Sequence, residues 1–354
     1  MSNKPVIKQR KKKKSAKRRR MRKIHLLCKT FITVAATMLI LFLFLQEIGV
    51  MEFVHALPHP IRNEESQFIQ LKKQISSEVL EAPSPEIEID MENINSPYGI
   101  LMDAKSGKIL AKHNEKEKIY PASLTKIMTA ILVIENKENL GEKIILPEQI
   151  FNSLYLQNAS MAGFQPNEEV TVKDLLYGIL LPSGAECCMA LVDAVAGSES
   201  SFVDLMNQKA KDLGMENTHF CNSTGLHEDN HYSTTEDIAI LLEYALQNEI
   251  FKTIFCSRRY SVPPSNLHPE GFTMCSTMFG NMDNIEVTGG NLMGGKTGYT
   301  KEAGQCLASL ADINGGEYIL VTAKAQGTHQ TQQYHILDAI NIYDQIGRQH
   351  LNKR

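Results

Sequence analysis

The chain has 354 residues, 43% hydrophobic and 22% charged, with a net charge of −3. That composition is ordinary for a globular protein with a sizeable core and too apolar for a chain that stays unfolded, and the length leaves room for one large domain plus accessories. The charge is unevenly laid out: Lys8 to Lys23 (KQRKKKKSAKRRRMRK) is intensely basic, so the remainder is acidic.

A basic arm of this kind can bind nucleic acid, but the adjoining segment points elsewhere. Thr30 to Leu45 is an uncharged apolar run, extended by Ile48, Val50 and Met51. A helix needs roughly 20 such residues to cross a bilayer. Residues 24–51 are therefore expected to be a transmembrane anchor, with residues 1–23 as a cytoplasmic tail and everything after about residue 50 outside. A cleaved signal peptide ending near Val54-His55-Ala56 is the alternative. Either way the bulk of the chain is exported and no nucleic-acid partner is expected.

Residues 52–95 read as a linker, with one short amphipathic stretch (Phe68, Leu71, Ile75, Val79) and a Pro-interrupted acidic spacer. The folded domain is expected over 96–347. Tyr98 to Met102 and Lys108 to Lys112 flank a turn and read as a hairpin. Helices are expected from Ser123 to about Glu135, Leu175 to Leu181, Ala185 to Ala196 and Ser200 to Leu213. The last of these carries Phe202, Leu205, Met206, Ala210 and Leu213 on one face. Ser233 to Glu236 is a capping-box string opening a helix with Ile238, Leu241, Leu242 and Leu246 inside. Gln305 to Ala311 and Tyr318 to Ala325 flank Asn314-Gly315-Gly316, a second hairpin, and His335 to Ile346 forms a last helix. Strands at both ends with helices between predict an α+β fold, an antiparallel sheet with helices packed on its faces.

Six of the seven cysteines lie in the expected exported part, and Cys187-Cys188 are adjacent within a helix, where a mutual bridge would be strained. Buried thiols and one oxidised pair both remain open.

Three strings carry chemistry. Pro121-Ala-Ser123-Leu-Thr-Lys126 is an S-x-x-K at a helix start, which puts a hydroxyl and an amine on one helical face. A serine needs a base to become a nucleophile, and a lysine serves only when desolvation keeps it neutral. Alone the string is weak, because an N-terminal Ser is most often a cap. Lys296-Thr297-Gly298 sits among glycines, where a strand can approach a ligand with a cation and a hydroxyl ready for a carboxylate. Gly290 to Thr297 also fits the phosphate-loop pattern, but that loop needs a helix directly after it, and a strand is expected here. Leu181-Pro-Ser183-Gly-Ala-Glu186 is the third. His227-Glu-Asp-Asn-His231 fits H-E-x-x-H, yet the flanking Gly225 and Asp229-Asn230 place it in a loop, so no metal and no cofactor are expected.

In chain order the three strings resemble the S-x-x-K, S-x-N and K-T-G elements of the penicillin-recognising serine enzymes, and most closely the low-molecular-mass penicillin-binding proteins that are D-alanyl-D-alanine carboxypeptidases. The resemblance runs over roughly Tyr98 to Ile346 and includes the connecting strings NSTGLHEDNHYSTTEDIAILLEYAL and GGKTGYTKEAGQCLASLA. It implies a β-lactamase/transpeptidase-like fold, a peptidoglycan stem peptide ending in D-Ala-D-Ala as substrate and β-lactams as inhibitors. It also implies Ser123 as nucleophile, Lys126 as its base and Ser183 as proton relay. Lys296 and Thr297 would hold the terminal carboxylate beside Gly298, with the N–H groups of Ser123 and Tyr299 as oxyanion hole. One departure stands out: the family usually has Asn where this chain has Ala185, with Glu186 as a conceivable substitute. Two other functions stay open: a catalytically weak wall-binding or sensory protein, and a β-lactamase, against which the absence of an E-x-x-L-N string counts.

Overall fold

The computed structural model describes residues 88–351 apart from residue 283. The basic arm, the expected anchor and most of the expected linker lie outside the described residues. Among those described, no helix is long and apolar enough to cross a membrane.

Two hairpins supply four of the six strands of the central sheet. β1 (Tyr98–Asp103) and β2 (Ile109–His113) are joined by a turn in which the Asp103 carboxylate accepts the N–H groups of Lys105 and Ser106 at 3.1 and 2.8 Å. β9 (Gly304–Ile313) and β10 (Gly316–Ala325) meet at Asn314-Gly315, whose φ angles of 52° and 82° are those a tight hairpin requires. β8 (Gly290–Thr300) lies beside β9, and β7 (Glu286–Val287) beside β8, giving the antiparallel order β2-β1-β10-β9-β8-β7. Lys296-Thr297 thus sits in a strand that turns directly into another strand, which excludes a phosphate loop.

Side chains alternate along each strand and so feed two separate cores. Ile100 and Met102 of β1, Ile319 and Val321 of β10 and Ala308 and Leu310 of β9 belong to the larger one, on the helical side. Leu101, Leu320 and Leu307 belong to the smaller one, under α8 (Tyr334–Leu351), where Ile336, Ala339, Ile342, Tyr343 and Ile346 form the buried stripe. Residues of the expected linker pack here as well: Met91 is buried, and the Asp338 carboxylate of α8 accepts from the backbone and side chains of Asn95 and Ser96.

The helical side is built around α1 (Lys126–Asn136), buried from Lys126 through Ile134 and hence a central rather than a surface helix. Around it stand α2 (Gln149–Leu156), α3 (Val172–Leu180), α4 (Ala185–Ala196), α5 (Glu199–Asp212), α6 (Thr235–Leu246) and α7 (Glu249–Phe255). Two expectations change. On α5, Phe202, Met206 and Ala210 are buried, but Leu205 lies at the edge of that stripe and stays 39% exposed. On α6 the cap is Thr234, whose hydroxyl accepts from Asp237 N. Ser233, the expected cap, is taken up in a bridge to Ile119 and a side-chain hydrogen bond to Thr218.

Candidate active site

Ser123 lies in a 3-10 turn, Ala122–Thr125, that runs straight into α1, with Lys126 as the first α-helical residue. Lys126 Nζ is 3.1 Å from Ser123 Oγ. As an ammonium it donates along this contact; as a neutral amine it can accept the serine proton. Burial pushes the Lys126 pKa below its ordinary value, against the fields of neighbouring Cys188 and Glu186.

The amine is aimed by a second contact, donated to Thr224 O at 2.5 Å. That carbonyl is fixed by Asn222, whose Oδ1 accepts from Thr224 N, Thr224 Oγ1 and Gly225 N. Thr129 Oγ1 of α1 donates to Ser223 O at 2.6 Å, tying the same loop to the helix. The loop presses backbone against backbone on the nucleophile turn. A Cβ on Gly225, which has φ +81°, would stand 1.9 Å from Ala122 O.

On the other side β8 closes on the same turn. A Cβ on Gly298 would lie 3.1 Å from Pro121 O and 3.2 Å from Ser123 N, so the glycine of the Lys-Thr-Gly string lets the strand edge reach the nucleophile. Two adjoining cavities open here. The larger, about 500 Å³, is lined by Ser123, Lys126, Ala185, Tyr299 and the Gln157–Ser160 segment, among others. The smaller, about 140 Å³, holds Ser123, Ser183, Thr297, Gly298 and Tyr299 in its wall.

Of the residues expected at the site, these two cavities gather all except Lys296. Its side chain is wholly buried behind the cavity wall, and Nζ donates to Thr297 O at 2.9 Å. Burial lowers the Lys296 pKa well below the usual lysine value, and the Lys126 charge adds to that. Ser183 is buried in the left-handed region at φ +72°, and its Oγ has no hydrogen-bond partner among the described residues. A non-glycine residue held there costs about 1 kcal/mol or more, a strain common at functional sites. Glu186 does not replace the family's amide. Its Oε1 accepts from Ala162 N and Gly163 N at 2.6 and 3.0 Å, so it braces the loop behind the cavity and turns away from the substrate side.

Several contributors carried no signal in the sequence. Thr277 Oγ1 shares a 2.6 Å hydrogen bond with Thr297 Oγ1. His329 lines both cavities and packs edge-on to Tyr299 at 4.6 Å between ring centroids. Gln305 holds the 328–335 segment with its whole amide, donating to Thr328 O and Gln332 O and accepting from Tyr334 N and His335 Nδ1. Thr277 and His329 come from segments distant in sequence from all three strings, and Gln305 from the strand that follows the Lys-Thr-Gly string.

The H-E-x-x-H residues form a loop with a turn at Asp229-Asn230. His231 commits both ring nitrogens within the protein: Nδ1 accepts from Cys221 N, so Nε2 carries the hydrogen and donates to Thr125 Oγ1 at 2.8 Å. His227 packs against Tyr120 instead. This donor set does not fit a zinc ion. The six cysteines among the described residues are free thiols, with Cys187 and Cys188 fully buried.

The sequence pattern of the D-alanyl-D-alanine carboxypeptidases, peptidase S11, matches residues 84–327, more than half of the chain. The chain belongs to this family. It is 37% identical over 216 residues to the D-alanyl-D-alanine carboxypeptidase DacF of Bacillus subtilis, covering 60% of this chain and 53% of that one. To DacA of Escherichia coli K12 it is 32% identical over 244 residues, 66% of this chain and 57% of the relative. The matched region thus spans about half the length of these relatives. Among solved structures, the Streptomyces K15 DD-transpeptidase superposes with a TM-score of 0.65 at 26% identity, over 73% of this chain and 98% of that chain. The family fold accounts for the antiparallel sheet between one long helix and a helical layer.

Proposed function

We propose that this chain is a serine D-alanyl-D-alanine carboxypeptidase that removes the terminal D-alanine of peptidoglycan stem peptides through an acyl-enzyme on Ser123. The observation that carries this is the 3.1 Å contact between Ser123 Oγ and the buried amine of Lys126. The neutral amine takes the hydroxyl proton as the oxygen attacks the carbonyl of the penultimate D-alanine. Backbone N–H groups of Ser123 and Tyr299 steady the oxyanion, a role supported by the close approach of β8 to the turn. As the carbon–nitrogen bond breaks, the departing amine regains a proton from Lys126 by way of Ser183, whose free hydroxyl faces the same cavity. Water then cleaves the ester and restores Ser123. Thr297 meets the substrate's carboxylate end, and Lys296 braces that strand from behind the wall through its hydrogen bond to Thr297 O. β-Lactams acylate the same serine, and the lack of an E-x-x-L-N string favours a long-lived adduct over β-lactamase turnover.

Residues 24–51 anchor the protein in the cytoplasmic membrane in this proposal, with residues 96–347 as the extracytoplasmic domain; the basic, then apolar, sequence supports that topology. Ala185 favours a second, weaker activity, a wall-binding protein with slow turnover. The two are separated by D-alanine release from a stem pentapeptide. The carboxypeptidase releases D-alanine steadily and its Ser123→Ala variant does not; equal, negligible release from both contradicts the enzyme.

A further inference from the structure

The smaller cavity has no lysine, arginine, aspartate or glutamate in its wall, although the reaction proposed above puts the substrate's free carboxylate there, beside Thr297. Three side-chain amides line it, those of Asn281, Gln305 and Gln333, but each already donates to a backbone carbonyl, and the other polar side chains there are hydroxyls and two imidazoles. Thr277 and Thr297 share one hydrogen bond, which uses one hydroxyl hydrogen of the pair and leaves the other for a ligand. His335 is already engaged. Its Nδ1 hydrogen goes to Gln305 Oε1, and burial lowers its pKa to about 4, so it stays neutral with nothing to donate.

His329 differs on each count. Neither of its ring nitrogens has a hydrogen-bond partner among the described residues, and the ring keeps an exposed face toward both cavities. Tyr299 packs against its edge, and the Gln305 amide fixes the loop that carries it. We propose that His329 is the group that grips the free carboxylate of the substrate, as an imidazolium beside the Thr297 hydroxyl, an assignment that rests on the carboxypeptidase activity proposed above. Recognition of the carboxylate is then coupled to proton uptake.

The surroundings fix the sign. The protein packed around the ring lowers the His329 pKa, and the charge of Lys296 behind β8 lowers it further, so the empty site favours the neutral ring. Lys126 stands across the larger cavity, Lys301 and Glu302 of the β8–β9 turn line that cavity with opposite charges, and His335 on α8 is neutral. No carboxylate lines the smaller cavity, so an arriving one is the anion that restores the imidazolium. Affinity is highest at low pH and falls as the pH rises through the pKa of His329 in the complex.

The test is KM for D-alanine release by the full chain across about pH 5.5 to 8, the span over which imidazoles titrate. It compares wild type, His329→Gln and His329→Arg, on a stem pentapeptide and on the same peptide with an amidated end. Wild-type KM for the acid is expected to rise roughly tenfold with pH, about the cost of losing one charge-assisted contact. His329→Gln should show a high, flat KM with kcat little changed, and His329→Arg a low, flat one. The amide should be handled alike by all three. A His329→Gln profile that tracks wild type, or an arginine variant that fails to restore affinity while keeping its thermal midpoint, overturns the assignment of His329. Absence of D-alanine release by wild type overturns the carboxypeptidase activity instead, and this assignment with it.

Discussion

Ala122 holds φ +46° one residue before the nucleophile, a left-handed conformation that an alanine adopts only when its surroundings impose it. The imposing neighbours are Gly225 and Gly298, each in backbone contact with the turn. Gly298→Ala should therefore push β8 off the turn. Contacts of 3.1 to 3.3 Å are relieved by a shift of a few tenths of an ångström, so acylation of Ser123 by penicillin is expected to slow by about threefold as the reacting groups lose part of their alignment. The thermal midpoint should shift by only a few degrees, and an unchanged acylation rate would show that the strand tolerates the methyl. At position 185, Ala185→Asn restores an amide at the cavity wall, and turnover of the pentapeptide should rise; an unaltered kcat would mean the alanine is no handicap. The convergence of Ser123, Lys126 and Thr297 through Tyr299 was legible because each string is local, with spacing fixed within one turn or strand, whereas the burial of Lys296 behind the cavity wall was not. Asn222, Gln305 and His329 were not, because their roles arise only when distant loops converge. Glu186 shows the opposite limit, since only its hydrogen bonds to Ala162 and Gly163 reveal which way it faces.

Long periodic segments declared themselves as elements, and short ones did not. α4 runs over the expected residues, and α3 begins at a Thr171/Asp174 capping box just ahead of the apolar run that marked it. α2 and α7, of eight and seven residues, passed unnoticed because one or two turns hold too few apolar positions to establish a period. The two-stranded pairs β3 (Lys143–Ile145) with β4 (Glu169–Thr171) and β5 (Arg259–Val262) with β6 (Phe272–Cys275) escaped for the same reason. At the edge of the domain, one side chain on α8 secures the entering chain. Asp338, 1% exposed, accepts from Asn95 N, Asn95 Nδ2, Ser96 N and Ser96 Oγ at 2.6 to 2.9 Å. Asp338→Ala strands the two buried donors of Ser96, while those of the exposed Asn95 turn to water, and should cost about 2–4 kcal/mol. Urea denaturation checks this, and a loss under about 0.5 kcal/mol, the scale of a surface change, would mean that water replaces the carboxylate.

Across the whole molecule, two buried imidazoles link stability to pH. His231 under the nucleophile turn and His335 under the sheet each have pKa values lowered to about 4 by burial. The unfolded chain binds protons on both near the ordinary pKa of 6.5, whereas the folded protein resists until about 4. The stabilising contribution is therefore complete above about pH 6.5 and is lost as the pH falls toward 4, by roughly 3 kcal/mol for each histidine. Thermal midpoints should decline through that window, less steeply in His231→Asn; a flat profile down to about pH 4 would contradict neutral burial. The α+β architecture was legible from strands at both ends of the domain, but the division into two cores was not, because period-two alternation marks two faces without saying what covers each. All of the proposed chemistry depends on Lys126 being an uncharged base at neutral pH. The most direct measurement is the rate at which penicillin acylates Ser123 as a function of pH, with the adduct located by mass spectrometry. A rate that titrates with a group well below the ordinary lysine pKa of about 10.4, and collapses in Lys126→Ala, is the predicted result. An inflection at the ordinary lysine value, or an adduct that forms equally fast without Lys126, would contradict it.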